Sequence, residues 1–534
     1  MKNKPLTILL PLLLATTFAV GMLVNSFLTQ RNGVKLPPRQ SKYDVIMRLI
    51  SDEYVEDVNI DSLTEELLPS LFEKLDPHSF YISADEYRDM IDPIMGSFEG
   101  IGVQFNIQND TVVVVQVIHG GPSEKLNILA GDRIVTVNDS VIAGNGITNE
   151  KTVKLLKGPR GTTVTVGIRR VGVKDLIPFE IIRDAVPITS VDAAYLIDDS
   201  TGYVAINCFS QNTIDEFLSA VSKLNTKSQN MKNIIVDLRD NGGGLLLAVI
   251  HLANEFLQAG DTIVYTQGKN TLPEYYVAEG DGSCENLNLV VLINEFSASA
   301  SEIFAGAMQD NGRGTIVGRR SYGKGVVNED FPLSDSSVVR LSIKKFYTPS
   351  GRCIQKPYNG SLSDYNQELL DRYAHGELNS ADSVDFPDSL KFVTKTGKIV
   401  YGGGGIMPDV FVPIDSTSYS PSYQKIMNSG FVYEYSFAFT EKHRAALQAM
   451  EFHDAYKWLS EKITMQGIVQ YAESHSKTSL LLDKNASLSE KQRVEMLARC
   501  YVIRNVFGDS AFFEMYNAED EIINKALDVF QNKR

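Results

Sequence analysis

Cysteine is scarce in this sequence. Four cysteines occur among 534 residues, and they lie far apart along the chain. So few cysteines in so long a chain cannot form a disulfide framework, and none is spaced from another as metal ligands are. We therefore expect neither a disulfide scaffold nor a metal site, and no cofactor is indicated.

Basic side chains are outnumbered by acidic ones. The sequence has 51 Lys and Arg against 66 Asp and Glu, a formal net charge of −15. An acidic chain repels phosphate backbones, so broad nucleic-acid binding is excluded. Apolar residues make up 43% and charged residues 22%, close to globular averages, which excludes a wholly disordered, collagenous or polytopic membrane protein. The length predicts three or four domains of roughly 150 residues each.

The N-terminus carries a long run without charge. Lys2 and Lys4 precede residues 5–30, which contain no charged side chain. A helix of this length spans the roughly 30 Å of a bilayer core. We expect residues 1–30 to anchor the protein in the inner membrane, with a cleaved signal peptide as the alternative. In either case the body of the protein is expected outside the cytoplasm, in the periplasm if it is anchored or secreted if the segment is cleaved. The absence of cysteine here excludes a lipoprotein anchor.

Apolar periodicity and turn residues divide the remaining chain. In chain order, the predicted regions are a helical N-terminal region at 40–95, a β-rich module at 96–184, an α/β core of alternating strands and helices at 185–415, and a helical C-terminal region at 416–534. Within the core, residues 359–390 carry seven acidic residues against Arg372 alone, and we expect a solvated insertion there.

A glycine-rich turn follows an apolar strand of the predicted core, and this strand is rich in Ile and Val. Residues 233–238 are predicted as that strand, and Asn241 and three glycines, 242–244, come before a predicted helix. Glycines allow backbone N–H groups to approach a ligand, and a helix N-terminus favours developing negative charge. The pattern fits an oxyanion hole, and it equally fits a plain tight turn.

A serine-rich turn follows a second apolar strand. Ser297, Ser299 and Ser301 alternate with small residues before a predicted helix. A serine at the positive end of a helix dipole is a candidate nucleophile. The alternative is a helix cap, because Ser299 and Glu302 have the spacing of a capping box.

A lysine lies between two glycines, Gly323 and Gly325. Burial beside apolar strands would lower the pKa of Lys324 from about 10.4 and make it a general base, whereas a solvated lysine would stay charged. The segment is not a phosphate-binding loop, since it lacks the Ser or Thr after the lysine and the upstream glycine.

Together these motifs resemble the carboxyl-terminal processing proteases, the tail-specific serine peptidases of family S41, which have a PDZ domain and a Ser-Lys dyad. The matching segments are, in chain order, Leu75–Ser79, Phe98–Val103, Gly131–Asn138, Asp237–Arg239 with Gly243 and Gly244, Ser297–Glu302, Gly323–Gly325, Thr348–Arg352, and Gly402–Gly405 with Pro408 and Asp409. The resemblance implies a multidomain α/β protein. Its ClpP/crotonase-like protease core at 185–415 would carry an inserted PDZ domain at 96–184, flanked by helical N- and C-terminal regions.

The resemblance also implies the catalytic residues. Ser299 would be the nucleophile and Lys324 the base that takes its proton. The oxyanion would be held by the N–H of Ala300 and of Gly243 or Gly244. Four residues after the lysine the family usually has Gln, which orients the amine. This chain has Asn328 there, one methylene shorter.

Substrate binding is implied for the PDZ domain, which receives extended C-terminal peptides by strand addition. The residues expected to hold the terminal carboxylate are Gly100, Ile101, Gly102 and Val103. We therefore expect protein or peptide substrates with apolar, loosely structured C-termini. An adaptor protein and a homodimer remain open as further partners.

Two alternatives compete with a Ser-Lys endopeptidase. One is a catalytically weak PDZ scaffold that binds envelope proteins, which the shorter Asn328 keeps open. The other is a Ser-His-Asp hydrolase. It is disfavoured because none of the seven histidines lies near the serine or glycine motifs along the sequence, His251 being the nearest.

Overall fold

The fold is described from a computed structural model, which covers residues 42–170, 172–414, 420–475 and 487–532. The predicted anchor or signal peptide at 1–30 lies outside these ranges. No helix within them has both the length and the apolar character needed to cross a bilayer. The chain divides into two compact units, the first ending at Phe72 and the second beginning at Glu73.

The first unit contributes two helices, α1 (Lys42–Glu53) and α2 (Ile60–Phe72). The side chain of Asn59 caps α2, since its Oδ1 accepts hydrogen bonds from the N–H groups of Asp61 and Ser62. The hydroxyl of Tyr43 in α1 donates to Thr64 in α2 at 3.1 Å. This region is helical, as its spacing of apolar residues predicts.

The second unit begins with a turn, a short strand and a helix. The turn at residues 76–79 leads into β1 (Phe80–Ile82), and α3 (Ala84–Met95) follows. A capping box formed by Ser83 and Glu86 starts α3. Strand β1 belongs to a sheet of the α/β core, so this turn is carried to the edge of that core.

The module predicted as a PDZ domain is a sheet with two short helices. Its elements are β2 (Ser97–Gly100), β3 (Val103–Gln108), β4 (Thr111–Val117), α4 (Pro122–Lys125), β5 (Arg133–Val137), β6 (Ser140–Val141), α5 (Asn149–Leu156), β7 (Thr163–Arg169), β8 (Ile177–Ile182) and β9 (Asp184–Pro187). The main sheet has the order β3-β4-β5-β7-β8, and β2 pairs with β9 at the base of the module. Strand β3 is therefore an edge strand with one unpaired side.

The α/β core predicted at 185–415 is built on a six-stranded sheet with the order β10-β11-β12-β15-β16-β21. Its elements are β10 (Val191–Asp198), β11 (Thr201–Ile206), α6 (Thr213–Lys227), β12 (Asn233–Asp237), α7 (Leu246–Asn254), β15 (Asn288–Ile293), α8 (Ala300–Asp310), β16 (Gly314–Gly318) and β21 (Val410–Phe411). All neighbours from β11 to β21 are parallel. Helices α6, α7 and α8 pack their apolar side chains on one face of this sheet. Parallel strands buried on both faces explain the continuous apolar runs in the sequence.

A second sheet lies beside the first and carries the segment that follows the lysine. Its strands are β13 (Thr262–Gly268), β14 (Glu274–Val277), β17 (Val326–Pro332) and β18 (Val338–Tyr347), and β1 pairs with β18. Strands β17 and β18 form a hairpin with a register shift next to Asn328, which places Asn328 opposite Ser342.

The acidic segment 359–390 is not simply solvated, contrary to expectation. It forms α9 (Leu362–Ala374), two 3₁₀ turns at Ala381–Ser383 and Asp388–Leu390, and then leads to the hairpin β19 (Lys391–Val393) and β20 (Ile399–Tyr401). Arg372 is only 4% exposed and binds the Glu377 carboxylate and the carbonyl oxygens of Arg320 and Ser321. Composition misled here because one buried arginine attaches the segment to the loop that precedes Lys324.

The C-terminal region is helical, as predicted. Its elements are α10 (Pro421–Asn428), α11 (Phe431–Gln448), α12 (Phe452–Lys462), α13 (Met465–His475), α14 (Leu488–Phe507), α15 (Asp509–Tyr516), a 3₁₀ turn at Asn517–Glu519 and α16 (Glu521–Asn532). The helices before α16 share an apolar core of their own. Helix α16 covers the second face of the six-stranded sheet, with Ile522, Ile523 and Phe530 buried there. Asp520, just before it, binds Arg239 at 2.6 Å.

Replacing the buried arginine of the insertion tests this arrangement. Arg372→Leu should lower the free energy of unfolding by about 2–4 kcal/mol, because two backbone carbonyls and a carboxylate lose a charged donor. Urea unfolding measures the change. Arg169→Leu, at an exposed position on β7, should change it by less than about 0.5 kcal/mol. Equal effects of the two substitutions would contradict the anchoring role.

Candidate active site

The glycine turn and the serine turn meet at the carboxyl ends of two adjacent parallel strands, β12 and β15. This edge is where parallel α/β sheets usually bind ligands. Asp240 and Asn294 join the two turns. The Asp240 N–H donates to Asn294 Oδ1 at 2.9 Å, and Asn294 Nδ2 donates to Asp240 Oδ1 at 2.8 Å.

The three alternating serines have different surroundings. Ser297 and Ser301 are fully buried, and their hydroxyls donate to the carbonyl oxygens of Leu238 and Asn241 in the glycine turn. Ser299 is only partly buried and directly precedes α8, where it has φ 57° and ψ −113°. Such a backbone conformation is strained for a residue other than glycine and is typical of functional sites. Because Ser297 and Ser301 are buried, Ser299 is the accessible one of the three serines.

The glycine turn approaches the serine turn closely at Gly243. A β-carbon on Gly243 would lie 2.8 Å from Ser299 Cβ and 3.0 Å from Ala300 N, so no larger residue fits. The Gly243 N–H donates to Asn241 Oδ1 at 2.8 Å. In contrast, the N–H groups of Gly244 and Ala300 have no acceptor within the part of the chain that the structure describes. The predicted oxyanion donors remain Ala300 and Gly243 or Gly244, and of the two glycines it is Gly244 whose N–H has no partner among the described residues.

The carboxylate of Glu302 joins the serine segment to the lysine segment. It is completely buried and accepts four hydrogen bonds. Oε2 accepts from the N–H groups of Ser299 at 2.8 Å and Lys324 at 2.9 Å. Oε1 accepts from the Ser321 hydroxyl at 2.5 Å and the Gly323 N–H at 2.7 Å. Burial raises the pKa of Glu302 to about 7, and these donors oppose the rise.

Glu302 is a functional residue that sequence analysis identified only as part of a capping box. The capping interaction is present, since the carboxylate accepts from the Ser299 N–H. The bonds to Ser321, Gly323 and Lys324 are additional and come from a separate loop. The sequence signal was a Glu buried among apolar residues of a helix, where an unpaired carboxylate would be costly.

The amine of Lys324 lies in a buried environment. Burial lowers its pKa below the ordinary value, and the charge of Arg340 lowers it further. The carboxylates of Glu302 and Asp76 act in the opposite direction. The net effect favours the uncharged amine, which is the state that a general base requires.

Asn328 and Lys324 both lie next to the turn at residues 76–79. Asn328 Nδ2 donates to the carbonyl oxygen of His78 at 2.8 Å and to Ser342 Oγ at 3.2 Å. Burial and the nearby charge of Lys324 lower the pKa of His78 to about 4. His78 is distant from the motifs along the sequence, but the fold brings its carbonyl oxygen to Asn328 from 250 residues away.

His78 is nevertheless poorly suited to act as the base. Its Nε2 is 2.9 Å from the hydroxyl of Tyr365 in α9, so that nitrogen already has a partner. A pKa of about 4 makes it a weak proton acceptor at neutral pH.

The predicted peptide-binding residues of the PDZ domain form the loop between β2 and β3. Ile101 is buried in the domain core, and its carbonyl oxygen accepts from the N–H and hydroxyl of Ser123. Gly102 has φ +78°, and a β-carbon there would lie 3.0 Å from Gly121 Cα. The N–H groups of Ile101 and Gly102 donate to no described residue. Val103 begins the edge strand β3.

The site contains hydroxyl, amine, amide and carboxylate groups. Across residues 42–170, 172–414, 420–475 and 487–532, no cluster of three His, Cys, Asp or Glu residues is arranged to hold a metal ion.

Comparison with known proteins gives consistent similarities. Peptidase family S41 matches residues 200–366, the PDZ domain family matches residues 100–180, and a family of unknown function matches residues 422–508. The carboxy-terminal-processing protease of Bartonella bacilliformis is 34% identical over 332 residues, which cover 61% of this chain and 75% of that protein. The carboxy-terminal processing protease CtpA of Bacillus subtilis is 30% identical over 370 residues, covering 69% and 77%. Among solved structures, the photosystem II D1 C-terminal processing protease aligns with a TM-score of 0.35 at 24% identity, over 69% of this chain and 92% of that one.

Glu302→Gln tests the role of the shared carboxylate. The amide would turn an NH₂ group toward two donors, leaving them buried without an acceptor. We expect the rate at which a fluorophosphonate labels the protein to fall by about tenfold or more. Misalignment of the serine and lysine segments raises the activation free energy, and a rise of about 1.4 kcal/mol slows a reaction tenfold.

The matched control is Glu490→Gln. Glu490 also forms a capping box, with Ser487, and is buried, but it lies in α14 away from the lysine loop. This substitution should leave the labelling rate unchanged. If both substitutions lowered the rate equally, Glu302 would be acting only as a helix cap.

Proposed function

Since this chain belongs to peptidase family S41 and is a serine-type, carboxy-terminal-processing peptidase with a PDZ domain, we propose that it cuts exported proteins whose C-terminal tails bind that domain. Ser299 is the nucleophile and Lys324 the general base. The observation that supports this most strongly is the Glu302 carboxylate, which accepts the backbone N–H of both residues and so holds their segments together.

Acylation begins with an uncharged Lys324. Its amine takes the proton from the Ser299 hydroxyl as the oxygen attacks the carbonyl carbon of the scissile bond. The N–H groups of Ala300 and Gly244 stabilise the negative charge on the carbonyl oxygen, aided by the N-terminus of α8. Lys324, now an ammonium, gives its proton to the nitrogen of the leaving peptide. The C–N bond breaks and an ester to Ser299 remains.

Deacylation repeats the same proton movements with water. Lys324 takes a proton from water as the hydroxyl oxygen attacks the ester carbonyl carbon. The second tetrahedral intermediate collapses when the C–O bond to Ser299 breaks, and Lys324 returns the proton to the serine oxygen. No cofactor is needed, since every proton is carried by one side chain.

The PDZ domain selects the substrate by its tail. The unpaired side of β3 accepts an extended peptide as an additional strand, and the N–H groups of Ile101 and Gly102 receive the terminal carboxylate. Ile101 and Leu156 belong to the same apolar core beside this loop, which favours apolar terminal residues. Val153, half-buried on α5, would help to line the pocket for the terminal side chain.

Export is proposed from the uncharged run at residues 5–30, which would tether the protein at the inner membrane with its catalytic part in the periplasm. There it would meet newly exported proteins with loosely structured tails.

Labelling by a fluorophosphonate tests the dyad. Wild-type protein should be labelled at Ser299, and Ser299→Ala should abolish the label. Lys324→Ala should slow labelling by roughly 100-fold or more, the usual contribution of a general base. If Lys324→Ala is labelled at the wild-type rate, the dyad is wrong, and if wild-type protein is not labelled, the scaffold alternative is favoured.

The pH dependence of labelling distinguishes lysine from histidine as the base. Because the uncharged amine is the reactive form, the rate should rise with pH through a lysine pKa that is below its ordinary value of 10.5. A rate that reaches its plateau before neutral pH, as titration of His78 would produce, contradicts a lysine base.

Peptide binding to the PDZ domain tests tail recognition. A peptide with an apolar C-terminus and a free carboxylate should bind at least about tenfold more tightly than its C-terminal amide, as loss of a charged hydrogen bond predicts. Gly102→Ala should weaken binding because its β-carbon meets Gly121. Gly144→Ala is the matched control, because Gly144 has φ +76° but an open surrounding, and it should bind normally. Equal binding of the acid and the amide would exclude carboxylate recognition.

A further inference from the structure

We propose that Asp76, His78 and Ser342 are positioning residues for the base, and that they act through the amide of Asn328. Together they fix the amide so that its oxygen is available to the amine of Lys324. The inference rests on the proposed function, since it takes Lys324 to be the base.

The orientation of the Asn328 amide follows from its two partners. The carbonyl oxygen of His78 can only accept a hydrogen bond, so the group facing it at 2.8 Å must be the NH₂. The second N–H of the same group is directed to Ser342 Oγ at 3.2 Å. Both donors are thereby used. The oxygen Oδ1 points away from these partners, and no donor from the described ranges of the chain reaches it.

Ser342 can accept from Asn328 because Asp76 takes its proton. A hydroxyl has one proton to donate, and a carboxylate only accepts. The Ser342 hydroxyl donates to Asp76 Oδ1 at 3.0 Å, which turns its lone pairs toward Asn328. The Ser342 N–H donates to Ser79 Oγ at 3.0 Å, and Ser79 Oγ donates to Asp76 Oδ2 at 2.6 Å. Two hydrogen bonds from Ser342 therefore join strand β18 to the turn, and the bond between Ser79 and Asp76 braces the turn itself.

The same turn lies beside the amine. The charge of Lys324 lowers the pKa of His78, and the Asp76 carboxylate opposes the lowering of the Lys324 pKa, so all three groups interact electrostatically. The charged groups acting on the amine are Asp76 from the turn, Glu302 from α8 and Arg340 from β18. Asn328 is thus held against the same turn whose Asp76 carboxylate acts on the amine of Lys324.

Helix α9 holds the turn from its other side. The Tyr365 hydroxyl lies 2.9 Å from His78 Nε2, and the two rings meet edge to face with centroids 5.5 Å apart. Gln355 Nε2 donates to the Tyr365 oxygen at 3.2 Å, which leaves the phenol proton for a neighbouring acceptor. With His78 held on both sides, its carbonyl oxygen is a fixed acceptor for Asn328.

This network accounts for the short side chain of Asn328. A glutamine would reach the amine with one more methylene and one more rotatable bond. The register shift in the β17–β18 hairpin places Asn328 opposite Ser342, and the turn supplies a second acceptor. A shorter amide with two fixed donors loses less rotational freedom when it binds the amine.

A double-mutant cycle on labelling by a fluorophosphonate tests the inference. Ser342→Ala and Asn328→Ala should each slow labelling by about tenfold, whereas the double variant should be no slower than Asn328→Ala. Ser342→Thr keeps the hydroxyl and should restore most of the rate. Peptide binding to the PDZ domain should be unchanged in all of them.

Two controls keep the result specific. Ser337→Ala removes a similar bond, from a serine hydroxyl to Asp335 at the other end of the same hairpin, and should leave the labelling rate unchanged. Should Ser342→Ala not fold, Asp76→Asn replaces it in the cycle. Its new N–H would donate to the Ser342 hydroxyl and turn the proton toward Asn328, slowing labelling more where Asn328 is present than where it is replaced. Loss of the Asp76 charge acts on the amine in both backgrounds and cancels in the cycle.

The outcomes separate this inference from the proposed function. If the effects of Ser342→Ala and Asn328→Ala multiply, or if Ser342→Ala labels at the wild-type rate, the positioning role is overturned while the dyad stands. If Lys324→Ala labels at the wild-type rate, the proposed function itself fails.

Discussion

The arrangement of this site depends on one buried carboxylate. Glu302 accepts hydrogen bonds from Ser299 at the start of a helix and from Ser321, Gly323 and Lys324 in a loop beyond the next strand. Burying a carboxylate costs several kcal/mol unless its oxygens are fully paired. Because these four donors supply that pairing, the two segments that carry the nucleophile and the amine cannot separate without exposing an unpaired charge or four unpaired donors.

The second constraint is the charge balance around Lys324. Burial and Arg340 favour the uncharged amine, whereas Glu302 and Asp76 favour the ammonium. The proposed mechanism needs both states in turn, the amine to take the serine proton and the ammonium to release it to the leaving group. An environment with opposing contributions lets one side chain serve as both base and acid.

The sequence predicted what is set by local spacing. The glycine turn, the start of α8 at Ser299 and the helical terminal regions follow from residues close together in the chain. The long-range partners could not be found this way. Asp76 and Ser342 are 266 residues apart, and no spacing rule relates them. Composition also misjudged the acidic insertion. Arg372 is buried within it and contacts the loop that precedes Lys324, and Tyr365 is buried within it and contacts His78.

The central claim is that its surroundings shift Lys324 toward the uncharged amine, and the pKa of this lysine can be measured directly. The ε-carbon signals of the lysines can be followed by ¹³C NMR as pH rises, with the Lys324 signal assigned by its loss in Lys324→Arg. The account predicts that this signal titrates below the ordinary lysine value of 10.5. A Lys324 signal that titrates at or above that value would show a charged amine, and a lysine base would be excluded.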